Sequence, residues 1–493
     1  DTTLLAEQSQ ADLKLKTSTP LISALLKPAN LLFEYIHIEN PTIDFKKEQL
    51  LDRMVSNEGP AFTSADINND GILDFYVGGA KNQSGQLFIS SPKGYKNTEL
   101  PFSQDKASED TDAVFFDSDN DGDLDLYVAS GGKAFSRFDT NLNDRLYINN
   151  GNSNFIKLKI LLPFSKPLST STVSVEDIDL DGKTDIFIGE RFNPEAYGAP
   201  SSGYVLKNLG NNTFIPLEQK ELNLNNDKYP DLIIAGEWMP ISIFINNNGT
   251  LINKTNSFNL NNSIGIWSSL KVLDIDNDGD QDIIAGNIGN NYSYKTGTTL
   301  FFNDFDKNGK PEAILCQKIE NKYYPIIDKD ELVSQLPFLK KKLLYYKDYA
   351  KIDMAALFGE TILNQTVKYE LNTTETSLFI NNNSNFTQAY LPKELQYSIV
   401  YAIEATDLNN DGFIDLLFGG NQDLIKPQFG KLDASKGWIL FGGKDISSFT
   451  KATPQILHID GQIRNLKAMK HLNKTIIIAT INNSTVNFYE YEK

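Results

Sequence analysis

The sequence predicts an all-β chain folded as a β-propeller, with metal-binding loops between the inner strands and a small α-helical insertion. Three observations predict it. A nine-residue acidic phrase, Asp-x-Asp/Asn-x-Asp-Gly-x-x-Asp, starts at Asp66, Asp117, Asp177, Asp274 and Asp407. Each copy runs into a short apolar segment such as Phe75-Tyr76-Val77 or Ile283-Ile284-Ala285, rich in β-branched and aromatic residues, as strands buried on both faces are. Most starts lie about fifty residues apart, close to the length of a four-stranded blade.

The phrase itself is an oxygen cage. Positions 1, 3, 5 and 9 offer side-chain oxygens and position 7 a carbonyl. The first copy supplies Asp66, Asn68, Asp70, Ile72 (carbonyl) and Asp74; the second supplies Asp117, Asp119, Asp121, Asp123 and Asp125. The third supplies Asp177, Asp179, Asp181, Lys183 (carbonyl) and Asp185. The copies at Asp274 and Asp407 supply Asp276, Asp278, Asp280 and Asp282, and Asn409, Asp411, Phe413 (carbonyl) and Asp415. A further copy keeps the plan with Asp304, Asp306, Asn308, Lys310 (carbonyl) and Glu312. A degenerate one, Asn223 to Asp231, has Lys228 where the others have Gly, and is read as having lost or weakened its metal.

Hard oxygens without thiol or imidazole select Ca²⁺, which takes six to eight oxygens at about 2.3–2.6 Å; Mg²⁺ demands a stricter octahedron. About five to six Ca²⁺ ions are expected. Gly at position 6 (Gly71, Gly122, Gly182, Gly279, Gly412) marks a sharp turn with positive φ. An EF-hand is excluded, because position 12 is Val77, Val128, Ile188, Ala285 or Phe418 rather than Glu. The alternative is a metal-free Asn-Asp-Gly turn, but a turn does not need four acids at fixed spacing.

The remaining elements follow in order. Residues 1–55 are an N-terminal extension or a remnant of a preceding module, and a strand near Phe33–Ile38 is a candidate to close the ring. Residues 56–493 form the propeller. Downstream of the acidic loops, apolar strands run into Asn/Gly turns, as at Ile148-Asn149-Asn150-Gly151, Ile245-Asn246-Asn247 and Ile380-Asn381-Asn382; these read as outer hairpins. A helical insertion spans 328–359, where Leu332, Leu336, Leu339 and Leu343 share one face, Asp330 is a candidate N-cap, Pro337 opens a second helix and Gly359 ends a third. The apolar strand Lys474–Ala479 carries no acidic loop and either closes the ring or begins another blade. Seven blades are expected, with eight as the alternative; closure removes open sheet edges.

The acidic phrases and their strands resemble the FG-GAP/VCBS repeat family, whose best-known fold is the integrin α-subunit propeller. The resemblance covers roughly 58–450, and phrases such as Asn57-Glu58-Gly59-Pro60-Ala61 and Gly236-Glu237-Trp238-Met239-Pro240 place it nearest the bacterial cell-surface VCBS/UnbV-like group. The resemblance implies a propeller scaffold, and a chain that is one portion of a longer polypeptide.

Net charge is −18, against nucleic acid and anionic membrane surfaces, although six bound Ca²⁺ would add twelve positive charges. A single Cys316 excludes an internal disulfide and is expected in the core. No apolar run is long enough to span a membrane. Extracellular-type Ca²⁺ sites fill at about 10⁻⁴–10⁻³ M, far above cytosolic calcium, so the protein is expected to work outside the cytoplasm; the resemblance implies the cell surface, on a bacterial outer membrane. The three histidines (His37, His458, His471) join no triad or metal pattern, and no nucleophile or phosphate-loop motif is present, so the expectation is a non-enzyme. The expected function is a calcium-stabilised module binding protein or glycan, as a subunit of an outer-membrane complex; the alternative is a polysaccharide lyase or hydrolase on the same scaffold. Partner-contact candidates are the basic run Lys340, Lys341 and Lys342, and Trp238 beside Glu237.

Overall fold

Six acidic phrases each close the turn between two antiparallel strands, and the residue before position 1 pairs with position 9: Ala65 with Asp74, Phe116 with Asp125, Glu176 with Asp185, Leu273 with Asp282, Asn303 with Glu312 and Thr406 with Asp415. The computed structural model describes residues 25–29, 32–57, 59–151, 153–158, 167–216, 229–471 and 474–492. The strands after the phrases at Asp66, Asp117, Asp274 and Asp407 are buried along their whole length, as their apolar sequence requires.

Four strands in simple order make most sheets. The first sheet holds Phe62–Ala65, Asp74–Val77, Gln86–Ile89 and Lys96–Thr98, and the second holds Asp110–Phe116, Asp125–Ser130, Arg145–Asn149 and Phe155–Leu158. The third holds Thr170–Glu176, Asp185–Glu190, Gly203–Asn208 and Phe214–Pro216. The fourth shows three strands among the described residues: Leu232–Ile234, Ser242–Asn246 and Leu251–Asn253. The positions Asn223 to Lys228 of the degenerate phrase lie outside the described residues. The fifth sheet pairs Ser269–Leu273, Asp282–Gly286, Ser377–Asn381 and Phe386–Tyr390, and the sixth pairs Val400–Thr406, Asp415–Gly420, Trp438–Leu440 and Gln455–Ile456. The last joins Ile463–His471, Lys474–Ile481 and Val486–Tyr491 to the N-terminal strand Leu26–Pro28.

Apolar clusters link neighbouring sheets and return to the start, the architecture of a β-propeller. Tyr76 and Leu87 meet Leu126 and Tyr147; Tyr127 and Leu146 meet Ile186 and Leu206; Phe187 and Val205 continue through Ile243 to Ile283 and Phe379. Ile284 and Leu378 meet Leu416 and Phe418, Leu417 and Ile439 meet Ile477, and Ile476, Ile478 and Phe488 meet Phe75 and Phe88 of the first sheet. The strand Lys474–Ile481 therefore sits in the sheet completed by the N-terminus. The closing strand is Leu26–Pro28; within the Phe33–Ile38 stretch only Ile36 makes a bridge, to Thr485.

The phrase at Asp304 is not on the path of the ring. Ile284 pairs directly with Leu378, so everything between Gly286 and Ser377 is an insertion within the fifth sheet. It has a sheet of its own, Lys322–Pro325, Glu312–Ile319, Thr298–Asn303 and Val367–Glu370, with the Asp304 phrase in one hairpin. It then carries helices α1 (Lys329–Gln335), α2 (Tyr346–Tyr349), α3 (Met354–Phe358) and α4 (Glu360–Leu363). Leu332, Leu336, Leu339 and Leu343 are buried against Cys316, Phe301 and Leu50, as their spacing predicts. Pro337 opens a short 3₁₀ turn and Gly359 follows α3 at φ +87°. The N-cap of α1 is Asp328, accepting from the Asp330 amide at 2.8 Å, two residues earlier than expected.

Residues 44–57 cross the opposite end of the ring. Arg191 and Gln422 each follow a strand whose first residue is position 9, so the groups they bring lie away from the acidic loops. There the amide of Met54 bonds the Leu424 carbonyl at 2.9 Å, Lys426 bonds the Asp52 carbonyl at 2.8 Å, and Gln422 bonds the Met54 carbonyl at 3.3 Å. Asp44, fully buried, accepts from the amides of Val55 and Ser56 at 2.7 and 3.0 Å, which folds the segment onto itself.

Candidate metal centres

All six described loops use one hydrogen-bond plan. The position 1 carboxylate accepts from the amides of positions 5 and 6, at 3.2 and 3.0 Å for Asp117 and at 3.0 and 2.9 Å for Asp407. The same pair of bonds forms at Asp66, Asp177, Asp274 and Asp304. Position 5 accepts from the amide of position 7: Ile72, Asp123, Lys183, Asp280, Lys310 and Phe413 donate to Asp70, Asp121, Asp181, Asp278, Asn308 and Asp411. These bonds wind the loop around one centre.

Position 9 is a clamp. Asp125 accepts from Ser118 N at 3.0 Å and from Asn149 N, on the next strand, at 2.7 Å. Asp74, Asp185, Asp282 and Asp415 repeat the pattern with Ile67 and Ser90, Ile178 and Asn208, Ile275 and Asn381, and Leu408 and Gly442. In the fourth sheet, Asp231 accepts from Asn246 N at 2.6 Å, so the clamp outlives the degenerate phrase. In the insertion Glu312 takes the role toward Phe305 N at 3.0 Å. Burial raises the Asp125 and Asp282 carboxyls to about 6 and Glu312 to about 7, against the amides that favour their charged forms.

Position 3 decides the chemistry. Asp119, Asp179 and Asp276 each have a buried Oδ1 with no hydrogen-bond partner among the described residues. A buried acceptor left bare costs about 1–3 kcal/mol, a cost that a bound cation would offset. Asp119 and Asp276 are raised by burial and then by neighbouring aspartates, which is the repulsion a divalent ion relieves. Ligand oxygens of positions 1, 3 and 9 lie within 4.8 Å of one another in four loops: Asp117, Asp119 and Asp125; Asp177, Asp179 and Asp185; Asp274, Asp276 and Asp282; Asp304, Asp306 and Glu312. The donor set is all oxygen and fits Ca²⁺. In the loops at Asp66 and Asp407 position 3 is Asn68 or Asn409, whose amide bonds Asp70 at 3.3 Å or Asp411 at 2.9 Å.

Two features of the loops escaped the sequence reading. Position 4 also has positive φ: Asn69 +57°, Asn120 +64°, Leu180 +58°, Asn277 +61°, Lys307 +60° and Asn410 +56°. The run of Asn at this position is the signal, since Asn tolerates the left-handed region. Two asparagines at strand ends also tie a loop to the next sheet. Asn208 Nδ2 donates to the Ser118 carbonyl at 2.9 Å and Asn246 Nδ2 to the Ile178 carbonyl at 2.7 Å.

A model of the FG-GAP-like repeat family matches over residues 66–128, 117–188 and 223–285, each match spanning two successive acidic phrases. The chain carries FG-GAP-like repeats. The loops at Asp304 and Asp407, outside the matched repeats, keep the same internal bonds. No curated protein matches the chain. Among solved structures, the crystal structure of Saccharomyces cerevisiae Sqt1 is similar at 9% identity and a TM-score of 0.39, covering 90% of this chain and 100% of that one; a likeness this loose adds nothing to the fold.

The partner-contact candidates fare differently. Lys340 and Lys341 are exposed, but Lys342 is spent on the carbonyls of Ala356 and Leu357 at the end of α3. Trp238 is not presented to a partner: it is 6% exposed, its indole donates to Tyr197 Oη at 3.0 Å, and its ring packs on Tyr294. Beside it, Glu237 lies between Arg53, at 2.8 Å, and Arg191. Burial alone would raise Glu237, but the two guanidiniums and the Tyr197 hydroxyl outweigh it and hold its carboxyl at about 2.

Proposed function

We propose that this protein is a calcium-stabilised, non-catalytic propeller of seven blades. In this reading it works outside the cytoplasm, at the cell surface, as a binding or scaffold module for a protein or glycan partner. It belongs to an outer-membrane assembly of the bacterial VCBS/UnbV-like kind. The observation that carries the reading is the pair of buried, bare oxygens on Asp119 and Asp276, each inside a ring of acids. Loops this acidic hold together poorly without a divalent ion, and open extracellular-type sites fill at about 10⁻⁴–10⁻³ M calcium. That requirement supports a calcium-rich compartment. The ions stiffen the scaffold, and recognition falls to parts that do not repeat, among them the exposed Lys340 and Lys341 of the insertion.

The test combines location and calcium. Intact source cells are labelled with a membrane-impermeant biotin reagent, and the protein is then captured with its partners in calcium or in EDTA. The expected result is a labelled protein that retains a surface protein or glycan in calcium and releases it in EDTA, with retention weakened by Lys340→Glu/Lys341→Glu. An unlabelled protein, or the same retention in EDTA, overturns the proposal.

A further inference from the structure

The third loop differs from its siblings in the cation it already holds. Lys207 Nζ makes an ion pair with Asp179 and lies 3.0 Å from Asp181 Oδ2. Lys183, at position 7, donates to the same Asp181 oxygen at 3.1 Å. The side chains are partly shielded, with Lys207 21%, Asp179 18% and Asp181 28% exposed. Asp179 is the position 3 ligand, and its group with Asp177 and Asp185 falls within 4.8 Å. The ammonium is therefore bonded to two of the carboxylates that would hold the divalent ion.

The repeats give a control. Lys207 stands immediately before Asn208, the residue whose amide clamps position 9; the matching residues before Asn149, Asn246 and Asn381 are Ile148, Ile245 and Ile380. Position 7 is Asp123 in the second loop and Asp280 in the loop at Asp274, but Lys183 here. Among the described residues no lysine or arginine pairs with the acids of those two sibling loops. Calcium affinity follows the charge of the ligand set and the rigidity of the site. Five aspartates without an ammonium make a strong site; four aspartates with two ammonium groups make a weak one.

We propose that Lys207 is a tethered competitor for calcium at the third loop, so that this site fills at higher calcium than the loops at Asp117 and Asp274. When the ion is absent, the ammonium neutralises Asp179 and Asp181 and keeps the loop folded; when calcium is abundant, the ion displaces it toward solvent. The seam this affects lies between the third and fourth sheets. Asn246 holds the Ile178 carbonyl at 2.7 Å, and a Cβ on Gly249 would come within 2.9 Å of Asp179 Cβ. The inference rests on the calcium reading of the loops.

The test is calorimetric titration of chelator-stripped protein with CaCl₂, for the native chain and for Lys207→Met, with Tm measured in EDTA and in saturating calcium. The native chain is expected to show a weak class of sites, and Lys207→Met to tighten one member of it by about tenfold, equivalent to about 1.4 kcal/mol. Adding Asp177→Ala to Lys207→Met removes that gain and so assigns it to the third loop. In EDTA the Lys207→Met Tm falls; in saturating calcium it matches the native value. Lys207→Gln, which keeps length and polarity, serves if Lys207→Met does not fold. Identical isotherms for the native and variant chains overturn the inference while leaving the calcium reading in place. Calcium uptake by neither protein overturns both.

Discussion

At one end of the ring, acids are gathered in five exposed loops; at the other, Glu237 and Asp52 are buried with their cations supplied by the chain itself. The first end repeats. Every loop uses the same amide bonds and the same clamp at position 9, so a weakened copy is tolerated. The second end occurs once. Arg53 is 2% exposed and reaches Glu237, Tyr197 and Tyr294 from a segment that also pairs with Ile425. Like charges crowded near water are a reversible instability that a bound divalent ion would remove. An ion pair buried under the N-terminal segment is permanent, and losing one partner leaves a charge stranded in the interior.

The comparison ranks single-site effects. Arg53→Ala strands Glu237 beside one remaining guanidinium and is expected to cost about 3–5 kcal/mol in urea unfolding, equally with and without calcium. A loss much larger in EDTA than in calcium would mean the two ends are coupled. Glu237 also fixes the acid limb. Its carboxyl is held below the ordinary value, so its contribution is complete above about pH 4.5 and is lost as pH falls toward about 2. That contribution is about 3 kcal/mol, and Glu237→Gln should flatten the pH dependence of stability in that window. At the other end, Asp125→Ala removes acceptors for Ser118 N and Asn149 N together with one calcium ligand. It should cost about 1–3 kcal/mol, more in calcium than in EDTA, and lower the calcium stoichiometry by one. The smallest effect has the opposite sign. Leu180 sits at φ +58° where four sibling loops place Asn, so Leu180→Asn should stabilise the protein by about 1 kcal/mol, read as a higher Tm.

The loop end was legible because its physics is local. Spacing of Asp and Gly reports a turn and an oxygen cage, and the positive φ of Gly71, Gly122, Gly182, Gly279 and Gly412 follows from it. The buried face of Leu332, Leu336, Leu339 and Leu343 was legible for the same reason. The Asp304 phrase misled because it is a sound metal loop by local rules; its place in an inserted sheet depends on Ile284 pairing with Leu378 across the whole insertion. The sealed end was not legible at all. Asp52 and Arg53 are charged, and the partners that let them be buried, Tyr197, Glu237 and Tyr292, lie more than a hundred positions away. Trp238 beside Glu237 looked like a site facing a ligand because the sequence does not show what covers it. The lysine that reaches the third loop, Lys207 on the strand Gly203–Asn208, is unremarkable in sequence; only the fold sets its ammonium between Asp179 and Asp181.

The most direct test of calcium as the cation that holds the loops is thermal unfolding of the intact protein in EDTA, followed by back-titration with Ca²⁺ or Mg²⁺. The account predicts that Tm falls by many degrees in EDTA, is restored by calcium, and is restored less well by magnesium at the same concentration. A Tm indifferent to chelation would contradict it.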